Sequence, residues 1–141
     1  MTGQTTAVGK ISVGKISVGL GLRPATGRDE IAACVQAALG RLDLDLGAVD
    51  RIATTAARAG EPGLVAFAQG LGLPLVGIPD EALRGEDAGC ATRSTRVVAL
   101  FGVGSVAEAA ALAAAGPAAR LALPRIVLGR VTCALASGNR S

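Results

Sequence analysis

The residues best suited to bind an anion lie in a glycine-containing segment, Gly102-Val103-Gly104-Ser105-Val106-Ala107. Ser105 and Glu108 have the spacing of a capping box, which predicts a helix directly after Ser105. Backbone N–H groups at a helix start carry partial positive charge and favour a carboxylate or phosphate. The alternative is that Ser105 and Glu108 only cap this helix. The candidate ligand-binding residues here are Gly102, Gly104, Ser105 and Glu108.

The same segment fits the loose dinucleotide-binding pattern GxGxxA, and a strand over Val97–Phe101 would give it the usual strand–turn–helix context. The full pattern also needs an acidic residue about twenty positions later to hold a ribose. After Glu108 the chain has no Asp or Glu. We therefore predict no cofactor, and a generic nucleotide-binding module remains a third hypothesis.

Two more loops place candidate residues after predicted strands. Gly21 and Arg23 follow the first strand, and Arg58 and Glu61 follow the second, just before a helix. Ligands of α/β sheets gather at the carboxyl ends of strands. All three loops would therefore form one site if the first two strands are neighbours. Arg58 and Glu61 could instead be an exposed ion pair that caps the second helix.

The composition excludes several classes of function. The chain has no His, and Cys34, Cys90 and Cys133 are far apart in sequence, so we expect no metal site, no disulfide framework and a reducing cytoplasm. Two Phe without Trp or Tyr argue against a stacking surface for nucleic acid. The longest weakly charged stretch contains Glu108, which argues against a membrane span. Arg makes up twelve of fourteen basic residues, which suits a small anionic ligand.

Helices and strands alternate along the chain and would carry these loops. Strands are predicted over Ile16–Leu20, Val49–Thr54 and Leu75–Ile78, the last fully apolar and of the buried kind. Thr26 and Asp29 have the spacing of a capping box before the first helix. The apolar face of that helix is Ile31, Cys34, Val35, Ala38 and Leu39.

The second half of the chain is less regular. Gly72 ends the second helix, and Ser94 to Gly102 fits either a buried strand or a short helix capped by Ser94. An Ala-rich helix ends at Gly116, and a final hairpin turns at Gly129. This order predicts the α/β class: a single three-layer α/β/α domain over residues 16–137, with a mixed, mostly parallel sheet and a C-terminal hairpin. Residues 1–15 are expected to be a flexible extension; the pentapeptide VGKIS occurs twice in tandem, at residues 8–12 and 13–17.

Four segments resemble the family of CobE and the C-terminal domain of CbiG. Gly19-Leu20-Gly21-Leu22-Arg23 is similar to its glycine-rich first turn, and Glu61-Pro62-Gly63-Leu64 to its second loop. The stretch from Gly102 to Leu112 is similar to its most distinctive segment, and Val131–Ala136 to its final strand. The resemblance runs from Val18 to Ser137, in order and with sensible spacing.

The resemblance implies a role in cobalamin (vitamin B12) biosynthesis. The expected function is to bind a polycarboxylate corrin-ring (precorrin) intermediate as an accessory or carrier protein, with other cobalamin-pathway enzymes as further candidate partners. Its acetate and propionate arms would meet Arg23, Arg58, Arg125 and the helix start at Gly104-Ser105. No nucleic-acid or membrane partner is expected.

An enzymatic alternative follows from CbiG, whose homologous domain belongs to a protein that opens a precorrin lactone. This chain would then be a hydrolase or lyase, with Glu61 or Glu108 as the general base and Glu61 the preferred catalytic residue. Arg58 and Arg125 stand where the family tends to have Lys. Because Arg stays protonated, chemistry that needs a neutral amine is not expected here.

Overall fold

The computed structural model describes residues 16–138, in which five strands form one sheet. The predicted extension over residues 1–15 lies outside the described residues. The strands are β1 (Ile16–Leu22), β2 (Val49–Thr55), β3 (Leu75–Ile78), β4 (Arg120–Leu128) and β5 (Val131–Ser137). The helices are α1 (Arg28–Gly40), α2 (Pro62–Leu71), α3 (Asp80–Arg84), α4 (Thr95–Phe101) and α5 (Val106–Ala115).

The sheet has the strand order β3-β2-β1-β5-β4 and mixes both kinds of pairing. β1 runs parallel to β2, and β2 runs parallel to β3. On its other side β1 is antiparallel to β5, which is antiparallel to β4 in the C-terminal hairpin. Two reversals bring β4 back to the direction of β1, so only β5 runs against the rest. The predicted α/β class with a mixed sheet and a closing hairpin is confirmed.

One face of the sheet is covered by α1 and α2. The predicted apolar face of α1 is buried against β1 and β5, with Ile31 and Cys34 both at 0% exposure. From the strands, Val18 and Leu20 point into the same layer and are also fully buried. Burial of each such aliphatic side chain contributes roughly 1.5–3 kcal/mol to the free energy of folding. This layer is therefore the main apolar core.

The opposite face is covered by α5, which lies unusually close to β1. A Cβ at Gly19 would overlap the carbonyl oxygen of Ala107 and the amide of Ala111. Because Gly19 has no side chain and α5 is nearly all Ala, the helix backbone rests directly on the strand. This close packing fixes where α5 begins, at the carboxyl end of β1.

Three local predictions need correction. β1 does not break at Gly21 but continues to Leu22, because β5 pairs with it as far as Leu22↔Val131. The N-cap of α1 is Gly27, since the Thr26 hydroxyl donates instead to the Arg23 carbonyl at 2.6 Å. β3 is not a buried strand: it is at the sheet edge, and only Ile78 in it is buried.

The ambiguous segment from Ser94 to Gly102 is a helix, α4. Ser94 caps it by accepting the Val97 N–H at 3.4 Å, and Gly102 ends it with φ +75°. α4 itself buries no residue. Within residues 16–138 no single helix is long and apolar enough to cross a membrane; α4 and α5 would meet that criterion together, but a bend of 56° separates them.

Candidate functional site

A cleft of about 410 Å³ opens at the carboxyl ends of β1 and β2. Its walls are the loop after β1, the end of β2, one side of α4, the start of α5 and the β4–β5 hairpin. This is the edge at which α/β sheets collect ligands. The predicted convergence of the three loops therefore occurs for part of each loop. The lining residues proposed from sequence are Gly21, Arg23, Arg58, Ser105 and Arg125.

Arginine dominates the charge of the cleft. Five arginines line it, and the lining contains no Asp or Glu: Arg23, Arg58, Arg96, Arg125 and Arg130. Like charges gathered in a cleft focus a positive potential there and attract anions. The net charge of +3 is modest and the basic residues are spread along the sequence, but folding brings nearly half of the chain's arginines to one place.

Two of these arginines are already held by the protein. Arg58 donates through Nε to the Leu22 carbonyl at 3.2 Å, which fixes its guanidinium beside the end of β1. Arg130 pairs with Glu30 at 2.8 Å between Nη2 and Oε1. The hydrogen bonds from Arg130 lower the pKa of the Glu30 carboxyl below its ordinary value. Arg130 therefore contributes less free positive charge to the cleft than Arg58.

The start of α5 forms part of the floor. Ser105 is the N-cap and accepts the Glu108 N–H at 3.2 Å, so this half of the predicted capping box is confirmed. Ser105 and Val106 line the cleft. In the first turn of an α-helix the leading N–H groups have no partner within the helix, so this end of α5 faces the cleft with donors.

The two glycines before α5 do not offer their N–H groups as predicted. The Gly102 N–H donates to the Val98 carbonyl, and the Gly104 N–H donates to Asp87 Oδ1, both at 2.9 Å. Neither glycine lines the cleft. Gly102 supplies the positive φ that ends α4, and a Cβ at Gly104 would overlap the Thr92 carbonyl. They shape the turn between α4 and α5.

Glu108 is fully buried and does not line the cleft. Its Oε1 accepts the N–H groups of Ala91 and Thr92, at 2.8 and 2.9 Å. Its Oε2 accepts the Thr92 hydroxyl and the Arg125 N–H, both at 2.8 Å. The carboxylate thus joins α5 to the loop before α4 and to β4. It holds two walls of the cleft together.

Glu61 also lies outside the cleft lining. Its Oε1 accepts the Ala25 N–H at 2.9 Å and so links the start of α2 to the loop after β1. Arg58 turns to the Leu22 carbonyl instead, so the ion pair considered from sequence is not how these two residues are used. The preferred general base is therefore a structural link in this conformation.

Sequence reasoning missed several lining residues. Thr54 and Thr55 end β2. Thr54 is the last residue of the predicted strand and Thr55 follows it, which was a usable signal. Thr54 donates to the Leu20 carbonyl at 2.7 Å, whereas the buried Thr55 hydroxyl has no hydrogen-bond partner within residues 16–138. Arg96 was in the ambiguous segment. The remaining additions are Leu22, Pro24, Val97, Leu100, Phe101, Val106, Arg130 and Thr132.

The cysteines are away from the cleft lining. Cys34 and Cys133 are buried neighbours in the core, and a hydrogen bond between their thiols lowers the pKa of Cys34. That bond, together with burial, raises the pKa of Cys133. Burial raises the pKa of Cys90. Across the described part of the chain, no group of three or more His, Cys, Asp or Glu side chains is placed to hold a metal ion.

A family model described as the cobalamin synthesis G C-terminus matches residues 16–136, nearly all of the described fold. The chain belongs to the CobE/CbiG C-terminal family. It is 35% identical to protein CobE of Sinorhizobium sp over 133 residues, which are 94% of this chain and 84% of that protein. This membership makes it a protein of cobalamin biosynthesis and confirms the resemblance read from the four segments.

Solved structures of the CobE/CbiG C-terminal family share the fold. The crystal structure of CobE, a protein of the cobalamin biosynthetic pathway, matches with a TM-score of 0.82 at 28% identity, covering 87% of this chain and 89% of that one. The cobalamin biosynthesis protein chiG of Agrobacterium tumefaciens str. C58 matches with a TM-score of 0.70 at 36% identity, covering 89% of this chain and 99% of that one. A cobalamin biosynthesis protein G homolog from Sulfolobus solfataricus matches with a TM-score of 0.69 at 25% identity, and the match covers 87% of this chain and 36% of that longer chain.

Proposed function

We propose that this protein binds a polycarboxylate corrin-ring intermediate of cobalamin biosynthesis in the arginine-lined cleft, as an accessory or carrier protein. Family membership supplies the pathway. The observation that carries the proposal is the gathering of five arginines in a cleft whose lining has no acidic residue. A guanidinium donates two parallel hydrogen bonds to a carboxylate, so the set suits a ligand with several carboxylate arms.

The apolar part of the cleft supports the same ligand class. Val97, Leu100 and Phe101 line one wall, and Leu100 is 64% exposed. Apolar side chains grouped along one wall of a cleft mark a surface that a ligand can cover. A corrin has an apolar ring face and charged arms at its periphery. Its ring would lie on α4 while its arms reach the arginines.

The alternative, a hydrolase or lyase acting on a precorrin lactone or side chain, has less support from the geometry. General-base catalysis needs a carboxylate within reach of the reacting group. Glu61 and Glu108 each bind backbone amides elsewhere, and neither lines the cleft. Binding therefore accounts for the site better than turnover.

A visible-absorbance titration tests both functions. The probes are cobyrinic acid, its cobalt-free counterpart, and the cobyrinic acid methyl ester, which keeps the ring and removes the charges. We expect saturable binding of both acids, much weaker binding of the ester and no new product. A new chromophore or product would instead establish an enzyme, and Glu61→Gln would then be the first variant to examine.

The matched variants are Arg125→Gln in the cleft and Arg28→Gln outside it. Arg28 is exposed and is not a lining residue, and within residues 16–138 its ion pair is with its neighbour Asp29. Removing one charged hydrogen-bonding partner is expected to weaken binding about tenfold. Arg28→Gln should bind like the unmodified protein. Equal loss in both variants, or no binding of either acid, would contradict the proposal.

A further inference from the structure

One buried hydroxyl of a cleft-lining residue makes no hydrogen bond within the described residues. Thr55 ends β2, is 2% exposed, and its Oγ1 has no hydrogen-bond partner among residues 16–138. Buried polar groups in folded proteins nearly always have a partner. Thr54 beside it already donates to the Leu20 carbonyl. Because Thr55 also lines the cleft, a ligand in the cleft can supply its missing partner.

The strand geometry places this hydroxyl toward the start of α5. Side chains two residues apart point to the same face of a sheet. Ala53 packs with the alanines of α5, so Thr55 points to the α5 side as well. On β1, Gly19 pairs with Ala53. Gly21 and Thr55 come two residues later on their strands, and both line the cleft.

Gly21 connects this part of the cleft to the start of α5. The position that its Cβ would take lies 2.5 Å from Thr132 Oγ1, which also lines the cleft, and 4.0 Å from Val106 Cβ. Val106 is the first residue of α5, a ten-residue helix. This part of the cleft is therefore next to the first turn of α5, where the N–H groups of Val106 and Ala107 have no partner within the helix.

A cation completes this set of donors. Arg58 is three residues after Thr55, lines the cleft and is held by its Nε bond to Leu22. We infer that Thr55 Oγ1, the first-turn amides of α5 and the Arg58 guanidinium form one subsite for a single oxyanion. It rests on the proposed function, in which the oxyanion is one carboxylate arm of the corrin ring.

The subsite predicts selectivity between forms of the same arm. The first-turn amides of α5 and the Arg58 guanidinium can only donate, and the Thr55 hydroxyl can donate as well, so both oxygens of an ionised carboxylate find donors. An amide in the same place would turn its NH₂ group toward groups that cannot accept from it, and a site of matched polar groups rejects such a ligand strongly. The donor-only groups therefore select a free acid over its amide or ester, and Thr55 adds affinity for the acid.

The first test uses small probes and the full chain. Isotopically labelled protein is titrated with acetate, acetamide and inorganic phosphate while the amide signals of Val106 and Ala107 are followed by NMR. Acetate should shift both signals saturably and acetamide should not. Absence of any shift with acetate overturns the subsite. A shift with phosphate alone overturns the assignment to a carboxylate.

The second test uses two variants that each remove a buried hydroxyl without a partner. Thr55→Val does so in the cleft; Ser17→Ala does so at the other end of the sheet, in the amino half of β1. Thr55→Val should weaken acetate and cobyrinic acid binding about five- to tenfold, since one hydrogen bond is lost. Thr55→Ser should restore it, and Ser17→Ala should bind normally.

The outcomes separate this inference from the proposed function. Cobyrinic acid that binds Thr55→Val as tightly as the unmodified protein overturns the subsite and leaves the proposed function standing. Thr55-dependent acetate binding without cobyrinic acid binding upholds the subsite and overturns the proposed function. The thermal midpoint of unfolding should be unchanged or higher in Thr55→Val, because valine removes an unpaired buried group. If Thr55→Val instead has a lower midpoint and weaker binding, and Thr55→Ser does not restore binding, the result counts against the subsite.

Discussion

At the scale of single residues, the acidic side chains that the sequence offers as bases serve the structure. The Glu108 carboxylate accepts four hydrogen bonds. Among the side-chain hydrogen bonds of the described residues, Glu108 is the only residue of α5 that binds both the 91–92 loop and Arg125. Partners 16 or 17 positions away cannot be read from a capping-box pattern. The sequence thus indicates that Glu108 matters, but assigns it the wrong partner.

Replacing Glu108 by Gln should destabilise the protein. The amide nitrogen would face donors where an oxygen now accepts two of them, so we expect a loss of about 2–4 kcal/mol in the free energy of unfolding, measured by urea denaturation. Glu61→Gln is the control, because Glu61 accepts a single hydrogen bond in an exposed setting. Equal stability of Glu108→Gln and the unmodified protein would refute this role.

The ion pair of Glu30 and Arg130 should make stability depend on pH. Hydrogen bonds from Arg130 lower the pKa of Glu30 below its ordinary value of 4.5. The stability that the ion pair contributes is therefore fully present above pH 4.5 and is lost as the pH falls through the folded-state pKa. The unmodified protein should therefore exceed Glu30→Gln in stability at neutral pH, and the difference should shrink in acid. A difference that grows in acid would contradict this assignment. High salt should also reduce the difference, since both side chains are at the surface.

At the scale of elements, the position of the cleft depends on how closely α5 approaches β1. The order of strands and helices and the final hairpin could be predicted, because turn residues and apolar periodicity are local signals. The state of α4 could not. Val97–Phe101 is a short apolar run that suits strand or helix, and only the folded chain shows the Ser94 cap and the left-handed Gly102 that decide it. β3 was likewise placed in the interior because edge position is a property of the whole sheet.

Gly19→Ala tests the contact between α5 and β1. Its Cβ would meet backbone atoms of α5, which cannot turn aside as a side chain can. We expect a loss of about 3 kcal/mol in the free energy of unfolding. Gly70→Ala is the matched control: nothing lies within 4 Å of its Cβ position in α2, and the helix should gain about 0.5–1 kcal/mol. Similar effects of the two changes would show that α5 is not tightly seated.

At the scale of the whole molecule, the distribution of charge matters more than its total. The net charge is only +3, yet five arginines share one cleft. Sequence alone identified Arg23 and Arg58, which follow predicted strands, and Arg125, which stands where the family tends to have Lys. Arg96 and Arg130 carry no such mark. They reach the cleft through α4 and the hairpin, whose placement is set by tertiary packing.

Binding of a polycarboxylate should consequently depend on ionic strength. Screening weakens attraction between separated charges at the surface, so the dissociation constant for cobyrinic acid should rise roughly tenfold from low to high salt. Absorbance titrations at a series of sodium chloride concentrations measure this. The slope should become shallower in Arg96→Gln, which removes one exposed cleft charge. A dissociation constant independent of salt would mean that the arginines are not the main contacts.

The pairing of β1 with β5 has a consequence for how the chain acquires its structure. β1 is the first strand described and β5 the last, yet they are neighbours in the middle of the sheet. During synthesis, β1 would have only β2 beside it until the final strand leaves the ribosome. Contacts between distant parts of a chain slow folding. The sheet should therefore be completed only after β5 has emerged, and a truncation before Val131 would remove β5 and leave β4 without a neighbouring strand.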